Sequence, residues 1–356
     1  MGSMIVLGIE SSCDETAAAI VKDGKLLMSN VVATSMDLHA QYGGVVPEIA
    51  ARSHIEAIMP VVRQALSDAD CTWDDVDAIA VTYGAGLGGS LLVGVMTART
   101  LAILYKKPLY AINHVEGHVY ANFLTETTLE GYSLPTSQPS FPLLALIVSG
   151  GHSQLVLFRD HFDYTLLGQT QDDAIGEAFD KVAKILGLPY PGGPSVGRKA
   201  LEGNAQAYRL PKARLAGKYD FSFSGLKTAV LRLAQEEVGK DYSLPSYELP
   251  ELLNESQKAD IAASFQRVAV ETVVDKAMTA FDEFQPKSVV IAGGVAASPE
   301  LRRQLAERLP IPIAYTDSKV CTDNGAMIAT LGCFHVMHNR PAADPYSLGI
   351  APNLSM

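Results

Sequence analysis

Two histidines four residues apart, His114 and His118, have the spacing of metal ligands. The run 108–113 before them predicts a short buried strand, and a helix is expected to begin directly after it. Positions i and i+4 of a helix lie on one face about one turn apart, so both imidazoles can reach one ion. Because such pairs also occur by chance among capping and surface residues, the pair indicates a metal site only if a third ligand joins it.

Asp323, at the expected start of the last helix, is the candidate third ligand. The alternative is that its carboxylate caps that helix. Two histidines and one carboxylate leave coordination positions open, which suits Fe(II) or a catalytic Zn(II). Metalloprotease motifs read H-E-x-x-H or H-x-x-E-H, whereas Glu116 comes two residues after the first histidine. Its side chain should point away from the face that the histidines share, so the pattern disfavours a protease.

Four polar or glycine-rich turns follow apolar runs of strand length, and they suit phosphate. They are 10–14 with Ser11 and Asp14, 84–90, 149–153, and 293–294 with Gly293 and Gly294. Glycine lets a ligand approach the backbone and lets N–H groups converge on an anion. No G-x-x-x-x-G-K-[ST] sequence occurs, which excludes a P-loop. Together the turns predict a bound nucleotide.

The stretch 172–181 is predicted to open a helix. Asp172 and Asp173 fit its N-cap and first turn. Glu177 and Asp180, three residues apart on one face, have the placement of ligands for ribose hydroxyls. Glu177 has an alternative role as the partner of Lys181 in a surface ion pair.

The order of predicted elements repeats along the chain. Three antiparallel strands open each half, over 4–33 and over 142–168, and a helix and then a strand–glycine turn–helix unit follow each set. A duplicated α/β fold of this kind puts a ligand cleft between its halves. The second half carries insertions at 190–224 and 236–257, and the latter is expected to be a mobile loop.

Two local predictions concern the backbone. A helix is expected with Ile55, Ile58, Met59, Val62 and Leu66 on one apolar face, and Pro60 within it should kink or split it. The apolar run 311–315 predicts a strand.

Composition limits the classes of protein. A length of 356 residues suits about two domains. The net charge of −11 argues against binding nucleic acid over the whole surface. The four cysteines form no C-x-x-C pair, and no signal peptide or membrane span is evident, so a cytoplasmic location is expected. One local basic patch is the candidate nucleic-acid surface: Arg198, Lys199, Arg209, Lys212, Arg214, Lys218 and Lys227.

Eight motifs, in this order and over nearly the whole chain, resemble the bacterial tRNA N6-adenosine threonylcarbamoyltransferase (TsaD) family, once labelled glycoproteases. They are LGIESSCDET (7–16), YGGVVPE (42–48), HVEGH (114–118), VSGGH (148–152), GEAFDK (176–181), YPGGP (190–194), DFSFSGLK (220–227) and CTDNG (321–325). The resemblance implies duplicated actin/Hsp70/sugar-kinase-like (ASKHA, RNase H-like) lobes around a nucleotide cleft. The lobes would cover 4–113 and 114–323, with the helix and tail 324–356 packing back on the first lobe.

The resemblance also implies the chemistry. A threonylcarbamoyl group would pass from threonylcarbamoyl-AMP to the N6 amine of the adenosine 3′ of the anticodon in tRNAs reading ANN codons. His114, His118 and Asp323 would bind one divalent metal, Fe²⁺ with Zn²⁺ as the alternative. The implied substrate-binding residues are Ile147, Val148, Ser149, Gly150, Gly151, Asp180 and Gly193. The implied partners are tRNA, TsaB-like and TsaE-like subunits, and a separate synthase that supplies the donor.

Two positions depart from the family pattern. Ser298 stands where the family carries Asn, and Gly197 stands where many members carry Asp, so both expected substrate contacts are weakened. Asp14, on the first hairpin turn, is the expected base or orienting group for the amine. The alternative function is a nucleotide-binding phosphotransferase or scaffold of the same fold, which would not need His114 and His118.

Overall fold

The structure is a computed structural model that describes residues 3–313 and 315–356. The chain divides into two compact units, Met1–Pro139 with Ala314–Met356, and Ser140–Ile313. These limits differ from the predicted boundaries at 113/114 and 323/324. The helix that begins at His114 packs against the C-terminal helix and the strand before it, which keeps it in the first unit.

The strands and helices are as follows. The strands are β1 (Ile5–Glu10), β2 (Glu15–Lys22), β3 (Leu26–Thr34), β4 (Ala78–Gly84), β5 (Leu109–Asn113), β6 (Glu126–Thr127), β7 (Leu143–Val148), β8 (Ser153–Asp160), β9 (Asp163–Gln169) and β10 (Ser288–Ala292). The α helices are α1 (Met36–Ala40), α2 (Pro47–Asp68), α3 (Gly88–Tyr105), α4 (His114–Tyr120), α5 (Ile175–Leu186), α6 (Gly192–Ala200), α7 (Ser224–Glu237), α8 (Leu249–Leu252), α9 (Glu255–Phe284), α10 (Pro299–Arg308) and α11 (Gly325–Met337). Short 3-10 helices span Ala121–Phe123, Ser246–Glu248, Gly294–Ala297 and Ser318–Val320.

The sheet of the first unit has the order β5-β4-β1-β2-β3-β6. Within it β2 is antiparallel to β1 and β3, whereas β4, β5 and β6 pair in parallel. The β2–β3 turn holds Asp23 and Gly24 at φ angles of 54° and 65°, the positive values that a tight hairpin turn needs. The core order is β3-β2-β1-β4-β5, with β2 antiparallel to both of its neighbours.

The sheet of the second unit, β10-β7-β8-β9, repeats this core. Here β7 is antiparallel to β8, β8 is antiparallel to β9, and β10 is parallel to β7. The order β9-β8-β7-β10 therefore matches β3-β2-β1-β4 of the first unit. The predicted duplicated α/β fold is confirmed.

A kink or a split is predicted at Pro60, and helix α2 runs unbroken through this residue, so the split does not occur. A proline in a helix leaves the carbonyl of residue i−4, here Glu56, without its N–H partner. Glu56 and Pro60 are both exposed, so water can bond that carbonyl. Of the predicted apolar face, Ile58, Val62 and Leu66 are buried, whereas the side chain of Ile55 is 66% exposed, so the prediction is wrong for Ile55 alone among these four.

Helix α3 is the one described helix that is long and apolar enough to cross a membrane by length and composition. Its Leu91, Val95 and Ala98 are buried in the core of the first unit. Arg99 on the same helix donates to the carbonyl oxygens of Pro345 and two nearby residues of the C-terminal segment. One face of α3 therefore packs within the first unit.

Helix α11 lies on β1 and β2 at very close range, which glycine makes possible. A Cβ at Gly8 would lie 2.3 Å from the amide nitrogen of Ala329, and one at Gly325 would lie 2.5 Å from the carbonyl carbon of Ala18. This close packing fixes the distance between the sheet and the N-terminus of α11, which Asp323 precedes by two residues.

Further secondary-structure elements differ from what the sequence predicts. Residues 311–313 and 315 form no strand, and Ala314 lies outside the described residues. The insertion 236–257 includes the short helix α8. Helix α7 and the 30-residue α9 were not predicted from the sequence, and the N-terminus of α9 is a capping box between Asn254 and Gln257.

Candidate metal centre and substrate-binding turns

The two histidines lie at the start of a short helix that follows β5, as predicted. The Asn113 side chain caps α4 by accepting hydrogen bonds from the N–H groups of Val115 (2.9 Å) and Glu116 (3.4 Å). All seven residues of α4 are buried. The cap and this burial fix where His114 and His118 point.

Both imidazoles converge on Asp323. Its Oδ1 lies 3.2 Å from Nε2 of His118 and 3.5 Å from Nε2 of His114. The ligand atoms of all three residues lie within 4.8 Å of one another. The N-cap of α11 is Asn324, whose side chain accepts from the N–H of Met327 (3.0 Å), so Asp323 is not the capping residue.

His118 supplies the test of whether a metal fits. It is 1% exposed, and neither ring nitrogen has a hydrogen-bond partner within the described part of the chain. A buried polar group left without a partner is costly. Ligand atoms about 2.1 Å from a tetrahedral ion lie roughly 3.4 Å apart, close to the two distances to Asp323. The three residues therefore fit a divalent metal ion.

His114 is held from behind by the turn after β1. Its Nδ1 lies 3.2 Å from Oε2 of Glu10 and 3.1 Å from Oγ of Ser12. Burial alone would lower the pKa of His114, but the Asp323 and Glu10 carboxylates raise that pKa to about 9. The two carboxylates therefore favour the protonated ring, so a metal ion at Nε2 competes with a proton.

Asp14, the expected base, is half-buried at the end of the same turn. Its carbonyl accepts from the Ser35 hydroxyl and N–H, which fixes the turn against β3. Burial, together with the Asp14 carboxylate, raises the pKa of the Cys13 thiol, so no thiolate forms here at neutral pH. Ser11 is fully buried and donates its hydroxyl to the carbonyl of Ser90 (2.9 Å), so it anchors the turn to α3.

In the second unit the turn after β7 is open. Ile147 and Val148 end the strand and are fully buried, whereas a Cβ at Gly150 or Gly151 would meet no atom within 4 Å. The N–H of Ser149 donates to the carbonyl of His152 (2.8 Å), which closes the turn. Accessible backbone N–H groups in such a turn suit an anionic ligand.

Two glycines hold other elements against this turn. A Cβ at Gly176 would lie 2.6 Å from the carbonyl oxygen of Ser149, and one at Gly293 would lie 2.5 Å from that of Val148. Gly293 needs its φ of 89°, which favours glycine. The start of α5 and the turn after β10 therefore lie beside the turn after β7.

Asp180 lies against Gly192, the residue that precedes Gly193. Oδ1 of Asp180 accepts from the N–H of Gly192 (2.7 Å), and a Cβ at Gly192 would lie 2.5 Å from Cα of Asp180. A Cβ at Gly193 would meet nothing within 4 Å. Asp180 and Gly193 are therefore both held near Gly192, and the backbone at Gly193 is open to a ligand; this surface is called the wall of Asp180 and Gly193.

Other candidate residues have structural partners. Glu177 is an ion-pair partner of Lys181 (2.8 Å), as its alternative role required. The Ser298 hydroxyl accepts from the N–H of Leu301 and caps α10. Gly197 lies on α6, where a Cβ would be 3.7 Å from Oε1 of Gln266, and Gly294 begins a 3-10 helix.

The predicted capping role of Asp172 and Asp173 is wrong, because the N-cap of α5 is Ala174. Asp172 instead accepts from the N–H of Phe223 (2.8 Å) in the segment before α7. Asp173 bridges Lys181 (2.7 Å) and Lys227 (2.9 Å). Both aspartates therefore tie α5 to residues brought near by the tertiary fold.

All four lysines of the predicted basic patch form ion pairs. These are Lys199 with Glu202 and Glu255, Lys212 with Glu271 and Asp275, Lys218 with Glu283, and Lys227 with Asp173. Within the described ranges, Arg198, Arg209 and Arg214 have no ion-pair partner. The positive charge that remains for an anionic partner is carried by arginine.

The contacts of Glu10 and Ser12 with His114 were not predicted from the sequence. The available signal was the acidic Glu10 at the end of an otherwise apolar strand. Its distance of 104 residues from His114 hid the pairing.

Comparison with known proteins agrees with the motifs. The model of the family "TsaD: tRNA N6-adenosine threonylcarbamoyltransferase" matches residues 26–330. Proteins of that name are similar to this chain. The one from Thermomicrobium roseum is 51% identical over 92% of this chain and 90% of its own length, and the one from Symbiobacterium thermophilum is 48% identical over 93% and 91%.

Among solved structures, the activator of the 2-hydroxyisocaproyl-CoA dehydratase from Clostridium difficile is 14% identical, over 94% of this chain and 96% of that chain, with a TM-score of 0.49. The family match spans most of the chain, and it includes both histidines and Asp323. The chain therefore belongs to the tRNA N6-adenosine threonylcarbamoyltransferase (TsaD) family.

Proposed function

We propose that the protein takes the threonylcarbamoyl group from threonylcarbamoyl-AMP and transfers it to N6 of the adenosine 3′ of the anticodon, in tRNAs reading ANN codons. The products are threonylcarbamoyladenosine (t6A) in tRNA and AMP. The family establishes the acyl transfer to adenosine N6 in tRNA. The observation that carries the proposal is the convergence of His114, His118 and Asp323, which a phosphotransferase of this fold does not need.

We propose that these three residues hold one divalent metal, Fe²⁺ or alternatively Zn²⁺. Two imidazoles and one carboxylate suit both ions, and they leave positions open for a substrate oxygen. When bound, such an ion supplies Lewis-acid stabilisation of charge on a carbonyl oxygen.

The chain's own residues can be assigned to the rest of the reaction. The N–H groups of the turn 149–151 receive the phosphate of the adenylate, and the wall of Asp180 and Gly193 receives its ribose. The amine attacks the carbamoyl carbon, the bond from that carbon to the phosphate oxygen breaks, and AMP leaves. Asp14 accepts the proton that the amine loses. Because the donor is already an activated anhydride, no covalent enzyme intermediate is required.

The test is a reconstituted reaction with threonylcarbamoyl-AMP, partner proteins and unmodified tRNA, read by nucleoside mass spectrometry. His118→Ala should lower t6A formation at least about tenfold and reduce bound metal, because it removes a ligand. His338→Ala, which alters an exposed histidine, is the control. Absence of t6A with the unaltered protein would contradict the proposal.

We propose that tRNA contacts the second unit at a cavity of about 630 Å³ lined by Tyr208, Arg209, Arg232 and Tyr242. Both arginines are exposed, and the Arg232 guanidinium lies 5.4 Å from the centre of the Tyr242 ring. Arginine bonds phosphates, and aromatic rings stack on bases. This site supplies local positive charge on an acidic protein.

Changing Arg209 and Arg232 together to Ala should raise the KM for tRNA and leave bound metal unchanged. It should also reduce the slope of log affinity against log salt by about 2, since two phosphate contacts are lost. Arg303→Ala is the matched control, because that guanidinium is already paired with Glu300 and Glu307. An unchanged slope would place the tRNA elsewhere.

We propose TsaB-like and TsaE-like subunits as protein partners and the cytoplasm as the location. Helix α3 exposes Leu92 (50%), Met96 (47%) and Leu104 (64%), a patch that fits a protein partner. Changing Leu92 and Leu104 to Lys should abolish co-elution with a TsaB-like protein without altering bound metal. Co-elution at the normal level would exclude this face.

A further inference from the structure

Glu10 is a charged residue in an apolar place. It ends β1, follows buried Leu7 and Ile9, and is itself 0% exposed. Burying a carboxylate is expensive unless hydrogen bonds compensate. The contacts of Glu10 therefore indicate what the residue is for.

Each oxygen of the Glu10 carboxylate has a partner. Oε1 accepts from the N–H of Ser12 (2.6 Å), and Oε2 accepts from Oγ1 of Thr82 (2.5 Å). Oε2 also lies 3.2 Å from Nδ1 of His114. Because β1 and β4 are neighbours in the sheet, Thr82 holds the carboxylate in place from the adjacent strand.

This contact selects one form of the His114 ring. A carboxylate only accepts hydrogen bonds, so the proton must be on Nδ1. The lone pair of the neutral ring is then on Nε2, the atom that lies 3.5 Å from Asp323. His118 differs, since its Nδ1 has no hydrogen-bond partner among the described residues.

We propose that Glu10 is a positioning residue for the metal centre. It fixes the tautomer and orientation of His114 and increases the basicity of Nε2, so that His114 is the preorganised ligand of the three. The inference rests on the proposed metal site, which it deepens. Outer partners of this kind change metal affinity about 10–100-fold when altered.

The test is metal affinity of the full chain, measured for Zn²⁺ by competition with a chromogenic chelator. Glu10→Gln keeps the shape but removes the charge, and affinity should fall about 10–100-fold. Glu300→Gln is the matched control, because that half-buried carboxylate pairs with Arg303 on α10, and the affinity of this variant should stay near that of the unaltered protein. Unaltered affinity in Glu10→Gln would overturn the proposal.

A second readout separates positioning from folding. In the zinc-loaded protein the ¹H–¹⁵N signal of the His114 Nδ1–H should lie downfield, and it should move upfield in Glu10→Gln. If Glu10→Gln does not fold, Thr82→Val decides the matter. It frees Oε2 without removing the charge, so a smaller loss of affinity is expected, and no loss overturns the proposal. If His118→Ala keeps full affinity, the metal site itself is what fails.

Discussion

At the scale of single residues, the contrast between two buried histidines separates ligand from structure. His54 is fully buried, and both its nitrogens are bonded, Nδ1 to the Thr16 hydroxyl (2.8 Å) and Nε2 to the Cys13 carbonyl (2.9 Å). His118 is equally buried, and its nitrogens have no such bonds in the described ranges. His54 is satisfied by hydrogen bonds within the fold, whereas Nε2 of His118 has the Asp323 carboxylate beside it, which is the environment expected of a metal ligand.

This contrast gives the first prediction. His118→Gln should abolish the thermal stabilisation that added metal gives, whereas His54→Gln should lower Tm and keep that stabilisation. For a metal at 100 times its Kd the stabilisation is about 2.7 kcal/mol. Differential scanning calorimetry with and without metal measures it. Equal metal responses in the two variants would mean that His118 is not a ligand.

A second prediction concerns acid. Burial and the nearby Arg340 lower the pKa of His335 to about 4. The ordinary value in an unfolded chain is about 6.5, so between about pH 6.5 and about pH 4 the unfolded chain binds a proton that the folded chain does not. Falling pH therefore favours unfolding, by up to about 3 kcal/mol from this residue.

The measurement is the free energy of unfolding in urea for the unaltered protein and for His335→Gln across this pH range. As the pH falls, the free energy of unfolding should decrease more for the unaltered protein than for His335→Gln. The constant offset from lost contact with the Tyr110 ring does not matter. A difference independent of pH would show that His335 titrates normally.

At the scale of elements, the metal centre depends on how close α11 comes to the sheet. Gly8 on β1 and Gly325 on α11 both lie where a Cβ would meet backbone atoms. Asp323 is two residues before Gly325, so any outward shift of the helix withdraws the carboxylate from His114 and His118. The glycines therefore serve the site without touching it.

The third prediction follows from this close packing of α11 on the sheet. Gly8→Ala would place a Cβ 2.3 Å from a backbone nitrogen, so α11 must move. Overpacking of this kind costs about 1–3 kcal/mol, and metal affinity should fall with it. Gly349→Ala, where a Cβ meets nothing within 4 Å, is the control. Normal metal affinity in Gly8→Ala would show that the metal site does not depend on how closely α11 packs at Gly8.

The elements near the site could be predicted to different degrees. Local signals were sufficient for β1 to β3 and for α4, because an Asp-Gly turn and short apolar runs lie within a few residues of one another. Capping at Asp172 could not be judged locally, since its partner Phe223 lies 51 residues away. The pairing of Glu10 with His114 was hidden for the same reason. Both contacts join residues far apart in the chain, and local sequence patterns do not reveal such pairs.

At the scale of the whole molecule, the first unit is completed by the last part of the chain. Beyond α11 the tail returns along the unit: Ala343 pairs with Leu109, and the N–H of Ala351 donates to the carbonyl of Tyr83 (2.7 Å). Asn113, which caps α4, donates from Nδ2 to the carbonyl of Ser355 (3.1 Å). The tail therefore supports both β4 and β5 and the cap beneath His114.

The fourth prediction is that removing residues 342–356 weakens both the fold and the metal site. Losing several hydrogen bonds worth about 1 kcal/mol each should lower Tm by several degrees. Metal affinity should fall as well, because the Asn113 side chain loses its partner. Thermal unfolding and chelator competition measure the two effects, with exposed Asn353→Ala as the control. Unchanged affinity would show that the cap holds without the tail.

The division of the first unit into two stretches of sequence has a consequence for how the protein is made. A growing chain presents His114 and His118 to the solvent early, but Asp323 emerges from the ribosome only after the whole second unit, Ser140–Ile313, has been synthesised. Until then the first sheet also lacks α11, the helix that lies on β1 and β2. Loading of a three-ligand metal centre is therefore a late event of biosynthesis, and a nascent chain released before Asp323 carries an incomplete site on an incomplete unit.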